Sequence, residues 1–127
     1  MKPVAPLVAF VDDDASVRKA MSRLIRSAGM RVETYASGME FLVKVRERRP
    51  SCVVLDLHMP YMDGFDVYYQ LVENDIALPV IMVTGHDTSE TCDRATDVGV
   101  AAYLRKPVDD EALLEAIARC VGVETPV

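Results

Sequence analysis

Short apolar runs alternate with amphipathic stretches five times along this chain, and no other feature narrows the possible folds as far. The runs are Leu7-Val11, Arg31-Tyr35, Cys52-Leu55, Val80-Val83 and Val100-Leu104. They are short, rich in β-branched residues and bounded by turn formers, which predicts strands. Leu7-Val11 and Val80-Val83 are apolar throughout, as strands buried on both faces are. Between the runs the apolar period becomes helical. Val17, Ala20, Met21, Leu24, Ile25 and Ala28 make one stripe, with Asp14 placed to cap its start and Gly29 after its end. Ser37 and Glu40 have capping-box spacing, Phe41, Leu42 and Val45 supply the buried face, and Pro50 closes that helix. Phe65, Tyr68, Leu71 and Val72 mark a third helix, ended before Pro79. Asp109 opens the last, with Leu113, Ile117 and Cys120 inward. Over Thr88-Val98 only Cys92, Ala95 and Val98 offer an apolar edge, so the helix there is thinly packed.

Strands alternating with helices imply right-handed crossovers and a parallel sheet covered on both sides. Five such units predict a doubly wound α/β domain with a parallel five-stranded sheet in the order 2-1-3-4-5. At 127 residues the chain suits a single domain over 1–127, its core over about residues 5 to 121 and 122–127 a tail or linker start. A domain of this size buries roughly two thirds of its unfolded surface.

Composition removes several classes. There are 14 Lys and Arg against 20 Asp and Glu, a net charge of −6, so this domain lacks the basic footprint of direct nucleic-acid binding. No apolar run approaches the roughly 20 residues of a membrane span, and the segment Met1-Lys2-Pro3-Val4-Ala5-Pro6 does not read as a secretory signal. The three cysteines, Cys52, Cys92 and Cys120, fit reduced thiols in a cytoplasmic protein better than a disulfide frame or a zinc site.

In a doubly wound fold, ligands sit beyond the carboxyl ends of the strands. Those ends carry Asp12-Asp13-Asp14, Asp56, Thr84-Gly85-His86 and Arg105-Lys106-Pro107. If the first and third strands are neighbours, their ends lie about 5 Å apart, and the clustered carboxylates disfavour joint ionisation. A divalent cation relieves this, and oxygen ligands favour Mg²⁺, Mn²⁺ or Ca²⁺ over zinc. Carboxylates, a cation, the Lys106 ammonium and the Thr84 hydroxyl together suit a phosphoryl group.

Four segments carry a family resemblance: Val11-Asp12-Asp13, Leu55-Asp56-Leu57-His58-Met59-Pro60 with Asp63-Gly64, Val83-Thr84-Gly85, and Tyr103-Leu104-Arg105-Lys106-Pro107. In this order and spacing they resemble the receiver domain of bacterial two-component response regulators, over about residues 5 to 121. Tyr35-Ala36-Ser37-Gly38 and Thr84-Gly85-His86 further resemble receivers of nitrogen-fixation and LuxR-type regulators. The resemblance implies a (βα)5 flavodoxin-like receiver fold. It also implies a phosphoacceptor at Asp56, charged by a sensor histidine kinase or phosphotransfer protein, and Mg²⁺ (or Mn²⁺) held by Asp56, Asp13 directly, Asp12 through water and the backbone carbonyl of His58. Lys106 would pair with the phosphoryl oxygens and Thr84 would donate its hydroxyl to one. Gly85 would leave room beside them, and a cis peptide before Pro107 would aim the lysine. As Thr84 moves, Tyr103 would turn inward and alter the face made by the fourth helix, fifth strand and fifth helix. The resemblance makes the chain a signalling switch and not an enzyme on external substrates. It leaves open a downstream effector or an output domain outside this chain, and a phosphorylation-dependent homodimer.

Each residue has a plainer role beside this one. Asp14 is foremost a helix cap, and Asp63 shapes the loop before Gly64. Tyr103 competes with simple half-buried packing. His58 and His86 are either rate-tuning groups beside the phosphoryl site or exposed loop histidines. Lys44, Arg46, Arg48 and Arg49 suit a solvated helix end, and Arg18, Lys19, Arg23 and Arg26 a solvated face with kinase docking as a second role. Rival functions are an aspartate-nucleophile phosphatase of the haloacid-dehalogenase type, a flavodoxin-like nucleotide binder, and a receiver-like module acting without phosphorylation. The first wants Asp-x-Asp on its first strand and a cap domain, whereas here the first strand ends Asp12-Asp13-Asp14 with no cap; the second wants a Ser/Thr/Gly-rich phosphate loop after the first strand, and none follows it.

Overall fold

A computed structural model describes residues 5–122. Residues 1–4 and 123–127, the latter including most of the expected tail, lie outside it. The elements run β1 (Leu7–Val11), α1 (Ala15–Ser27), β2 (Arg31–Tyr35), α2 (Gly38–Lys44), β3 (Cys52–Asp56), α3 (Gly64–Glu73), β4 (Val80–Thr84), α4 (Ser89–Val98), β5 (Ala102–Arg105) and α5 (Asp110–Val121). All strand pairs are parallel and the order is β2-β1-β3-β4-β5. The three inner strands are buried at every position, whereas β2 and β5 at the edges are partly exposed.

Strand alternation divides the apolar residues between two cores. Ala9, Val11, Val53, Leu55, Val80 and Met82 face Phe41, Phe65, Val67, Leu71 and Ala95 of α2, α3 and α4. Val8, Phe10, Cys52, Val54, Ile81 and Val83 face Ile25, Leu113, Ala116 and Ile117 of α1 and α5. The Cys52 thiol is pushed up to about 12 by burial, then by nearby Cys120, which keeps it an inert apolar filler.

The helix starts follow the expected caps at Asp14, Ser37 and Asp109, each accepting a backbone N–H of the first turn, and Thr88 caps α4 in the same way. Several local expectations need correction. The Ser37 box is reciprocated one residue early, because Glu40 accepts from Ala36 N and not from Ser37 N. The complete capping box belongs to Asp63 and Asp66 at the start of α3. Ala20 and Ala28 are exposed, since the stripe on α1 is wider than the strip of sheet it covers. Val72 is exposed and Val67 takes the core position on α3. Helix α2 ends at Lys44, well short of Pro50. Val100 belongs to the capping of α4, its N–H bonding Ala95 O at 3.3 Å after left-handed Gly99, so β5 starts two residues later than Val100. The basic stretch after α2 is exposed, as expected, and its arginines also reach neighbouring segments at the surface: Arg46 donates to Asn74 O at 3.0 Å, Arg49 to Ala77 O at 2.9 Å, and Arg48 meets Glu33 at 2.5 Å.

Helix α4 is the least apolar in its attachment. Ala95 is its one fully buried residue. Its links to α3 are largely polar: Arg94 lies 4.2 Å from the Phe65 ring centroid, and Tyr68 donates to Val98 O at 2.7 Å. Among the described residues no helix is long and apolar enough to cross a membrane.

Candidate functional site

Strand register assembles the site. Val11 pairs with Leu55, so continuing one residue sets Asp12 against Asp56. Asp56 pairs with Val83, one residue before Thr84, and Thr84 pairs with Arg105, one residue before Lys106. Asp12 N donates to Tyr35 O at 3.1 Å and Leu57 N to Val83 O at 2.9 Å, which carries the sheet pattern into both loops.

One carboxylate oxygen from each of Asp12, Asp13 and Asp56 lies within 4.8 Å of the others. Asp12 and Asp56 are buried and Asp13 is exposed at the rim. Lys106 Nζ lies 3.1 Å from Asp12 Oδ2 and 3.5 Å from Asp56 Oδ2, so it is no ordinary surface lysine; the Lys106-Pro107 peptide is cis. Burial, then the charge of Asp12, hold the Asp56 carboxyl above the usual carboxylate range, against the His58 N–H and Lys106, which pull it down. Burial pulls the Lys106 ammonium down, but the bond to Asp12 and the charges of Asp56 and Asp12 outweigh it and leave the group raised. Three converging carboxylates with one ammonium are short of positive charge, and an all-oxygen donor set fits a hard divalent cation such as Mg²⁺.

Thr84 is buried at the end of β4. Its Oγ1 accepts the His86 N–H at 3.0 Å and lies 3.0 Å from His58 Nε2. The His58 ring is therefore engaged, and its backbone N–H donates to Asp56 Oδ1 at 3.2 Å. The His86 ring stands edge-on to it, centroids 6.0 Å apart. Gly85 is open: an added Cβ would come no closer than 3.6 Å to Lys106. Arg18 of α1 turns back to donate to Asp12 O at 2.8 Å. Tyr103 is half-buried on β5 and donates to Asp87 Oδ1 at 2.6 Å. Sequence reasoning missed Asp87. The only signal was an acid between Thr84 and the Thr88 cap, and its partner lies 16 residues further on.

The loop after Asp56 is aimed by Gly64, whose N–H bonds Leu57 O at 3.1 Å. An added Cβ there would lie 2.8 Å from Leu57 Cδ2 and 3.1 Å from both Asp56 O and Leu57 Cα. Gly64→Ala is expected to cost about 1–3 kcal/mol, because backbone cannot yield as a flexible side chain can. Urea denaturation checks this, and an unchanged midpoint would refute it.

Strand order and the gathering of acids where β1 and β3 end define a CheY-like receiver fold. The family model for the response regulator receiver domain matches residues 8–118, and the chain belongs to that family, the receivers of two-component signalling. It is 37% identical over 117 residues to the response regulator protein TodT of Pseudomonas putida, covering 92% of this chain and 52% of that protein. It is 35% identical over 111 residues to nodulation protein W of Bradyrhizobium diazoefficiens, covering 87% and 49%. The chain thus spans about half the length of the curated relatives it matches. Among solved structures, a receiver protein from Burkholderia phymatum matches with TM-score 0.84 at 41% identity, covering 96% of this chain and 99% of that one. The crystal structure of FixJ-N matches with TM-score 0.86 at 29% identity, covering 98% and 100%.

Proposed function

We propose that this domain accepts a phosphoryl group on Asp56 from a histidine kinase or phosphotransfer protein, and that the modification switches its output face. The observation that carries this reading is the convergence of Asp12, Asp13 and Asp56 within 4.8 Å, with Lys106 Nζ 3.1 and 3.5 Å from two of them. Asp12, Asp13, Asp56 and the His58 backbone carbonyl would hold Mg²⁺ or Mn²⁺. The cation supplies charge neutralisation for the incoming phosphoryl group and keeps Asp56 ionised.

An Asp56 carboxylate oxygen attacks phosphorus, the bond from phosphorus to the donor imidazole nitrogen breaks, and an acyl phosphate forms. Lys106 faces the charge that develops on the transferred oxygens, and Thr84 offers its hydroxyl to one of them. That hydroxyl now sits between His86 N–H and His58 Nε2, so binding a phosphoryl oxygen alters a bonded network. The two histidines flank the acceptor and suit groups that tune the lifetime of the acyl phosphate. Tyr103 and α4 carry the change outward; the sparse apolar attachment of α4 suits a moving element. In this reading the whole chain is a single cytoplasmic receiver with its core over about residues 5 to 121. It catalyses nothing beyond its own phosphorylation and dephosphorylation, and it acts on an effector, an attached output domain or a second copy of itself.

Intact-mass spectrometry after incubation with acetyl phosphate and Mg²⁺ tests the assignment. One added phosphoryl group is expected on the wild type and none on Asp56→Asn or without metal. An adduct that survives in the variant would refute Asp56 as the acceptor.

A further inference from the structure

Asp87 lies three residues beyond Thr84, in the loop between β4 and α4, and commits both carboxylate oxygens to β5. Tyr103 Oη donates to Oδ1 at 2.6 Å, and Arg105 Nε lies 2.7 Å from Oδ2. Residues two apart on a strand share a face, so a single carboxylate can bridge both side chains. The two contacts differ in weight. Arg105 has 72% of its side chain in water, so its ion pair is weak. Tyr103 is half-buried and packs against the core shared by α2, α3 and α4. Its hydroxyl bonds a carboxylate that is only 25% exposed, a short charge-assisted bond of the stronger kind. Burial and this bond also hold the phenol well above its ordinary value, so it remains a donor. One residue earlier, the His86 N–H is bonded to Thr84 Oγ1. The loop is thus fastened at one end to the buried hydroxyl and at the other to the aromatic side chain on the outer strand.

We propose that Asp87 is the positioning residue for Tyr103: its carboxylate clasps the hydroxyl on the Arg105 side of β5 and must release it before the ring can turn toward Thr84. The clasp sets the resting bias of the switch, and it rests on the reading of Thr84 and Tyr103 given above. A carboxylate bond of this kind biases a two-state equilibrium by about tenfold or more. Asp87→Ala is therefore expected to raise the inward population of Tyr103 about tenfold. Since a ligand that selects the minor state gains in proportion to that population, beryllofluoride with Mg²⁺ should bind about tenfold more tightly.

The test follows the Tyr103 ring resonance by ¹³C NMR in the unmodified, metal-free chain, with beryllofluoride titrated in parallel. Asp87→Ala should move the resonance toward its position in beryllofluoride-saturated wild type. Asp87→Asn, which keeps the shape, should move it part of the way, and Arg105→Ala by a smaller amount in the same direction. Wild-type resonance and wild-type affinity in both Asp87 variants would overturn the clasp. A wild type that ignores beryllofluoride would instead count against the phosphoryl reading. The apo spectra would then decide the clasp alone: a displaced Tyr103 resonance in the variants supports it, and an unmoved one overturns it.

Discussion

Asp56→Asn is expected to stabilise the metal-free protein by about 1 kcal/mol and to abolish its response to Mg²⁺. Asn keeps the volume of the side chain and can still accept the His58 N–H that now bonds Asp56 Oδ1. Lys106 keeps its closer partner, Asp12, at 3.1 Å. What disappears is one of three negative charges that meet within 4.8 Å, at a position where burial already disfavours ionisation. In wild type the same crowding should make Mg²⁺ a strong stabiliser. At about 100 times its Kd a native-state ligand contributes about 2.7 kcal/mol, which is roughly 10 °C in Tm for a domain of this size. Thermal melts with and without Mg²⁺ read both effects, and a wild-type Tm indifferent to the metal would refute the site.

The pH dependence has a definite sign. Folded Asp56 keeps its proton to higher pH than the unfolded chain does, from its ordinary 3.8 upward. Across that window the native state binds more protons, so stability falls as pH rises through it. The Asn variant lacks this slope. Saturating Mg²⁺ also removes it, because cation and proton compete for the same oxygens.

The second large effect is expected at Lys106. Lys106→Met should cost the metal-free protein about 2 kcal/mol, below the roughly 3–5 kcal/mol of a fully buried pair because 31% of the lysine side chain meets water. The methionine fits sterically, since the lysine stem borders an apolar cavity with Phe10, Val17 and Met21. The loss is electrostatic: Asp12 and Asp56 keep their burial without the ammonium they face. Stability of the variant should therefore recover on adding Mg²⁺ or on acidifying toward the carboxylate range. At the alkaline end the wild type loses stability as pH rises through the raised value of Lys106, and the variant does not. Urea midpoints across pH, with and without Mg²⁺, separate these outcomes. A deficit that neither acid nor metal repairs would mean that Lys106 matters for packing alone.

The strands were legible because Leu7–Val11, Cys52–Asp56 and Val80–Val83 have no polar interruption before the catalytic-looking ends, and parallel burial demands that. Once the strands stand in order, Asp12, Asp56, Thr84 and Lys106 fall together by register. Contacts set by side-chain rotamers between distant residues were not legible. The His58 ring reaches Thr84 across 26 residues, and Arg46 and Arg49 reach the chain 28 residues on. No local pattern encodes such meetings. Buried helix faces are narrower than their apolar stripes for a related reason: Ala20, Ala28 and Val72 suit a buried stripe, but the width of the neighbouring sheet and helices decides which residues it covers.

Helix α4 has a thermal consequence. Heat-capacity change follows the apolar surface exposed or covered, and α4 fully buries only Ala95, with Cys92 and Val98 partly covered, while holding to α3 through a guanidinium stack and a tyrosine hydroxyl. If α4 moves as proposed above, its rearrangement would carry a small heat-capacity change, and the enthalpy of switching would vary little between cold and warm. A signalling equilibrium built on this helix would then follow a nearly straight van 't Hoff line, so its set point would not curve away as the surroundings heat or cool.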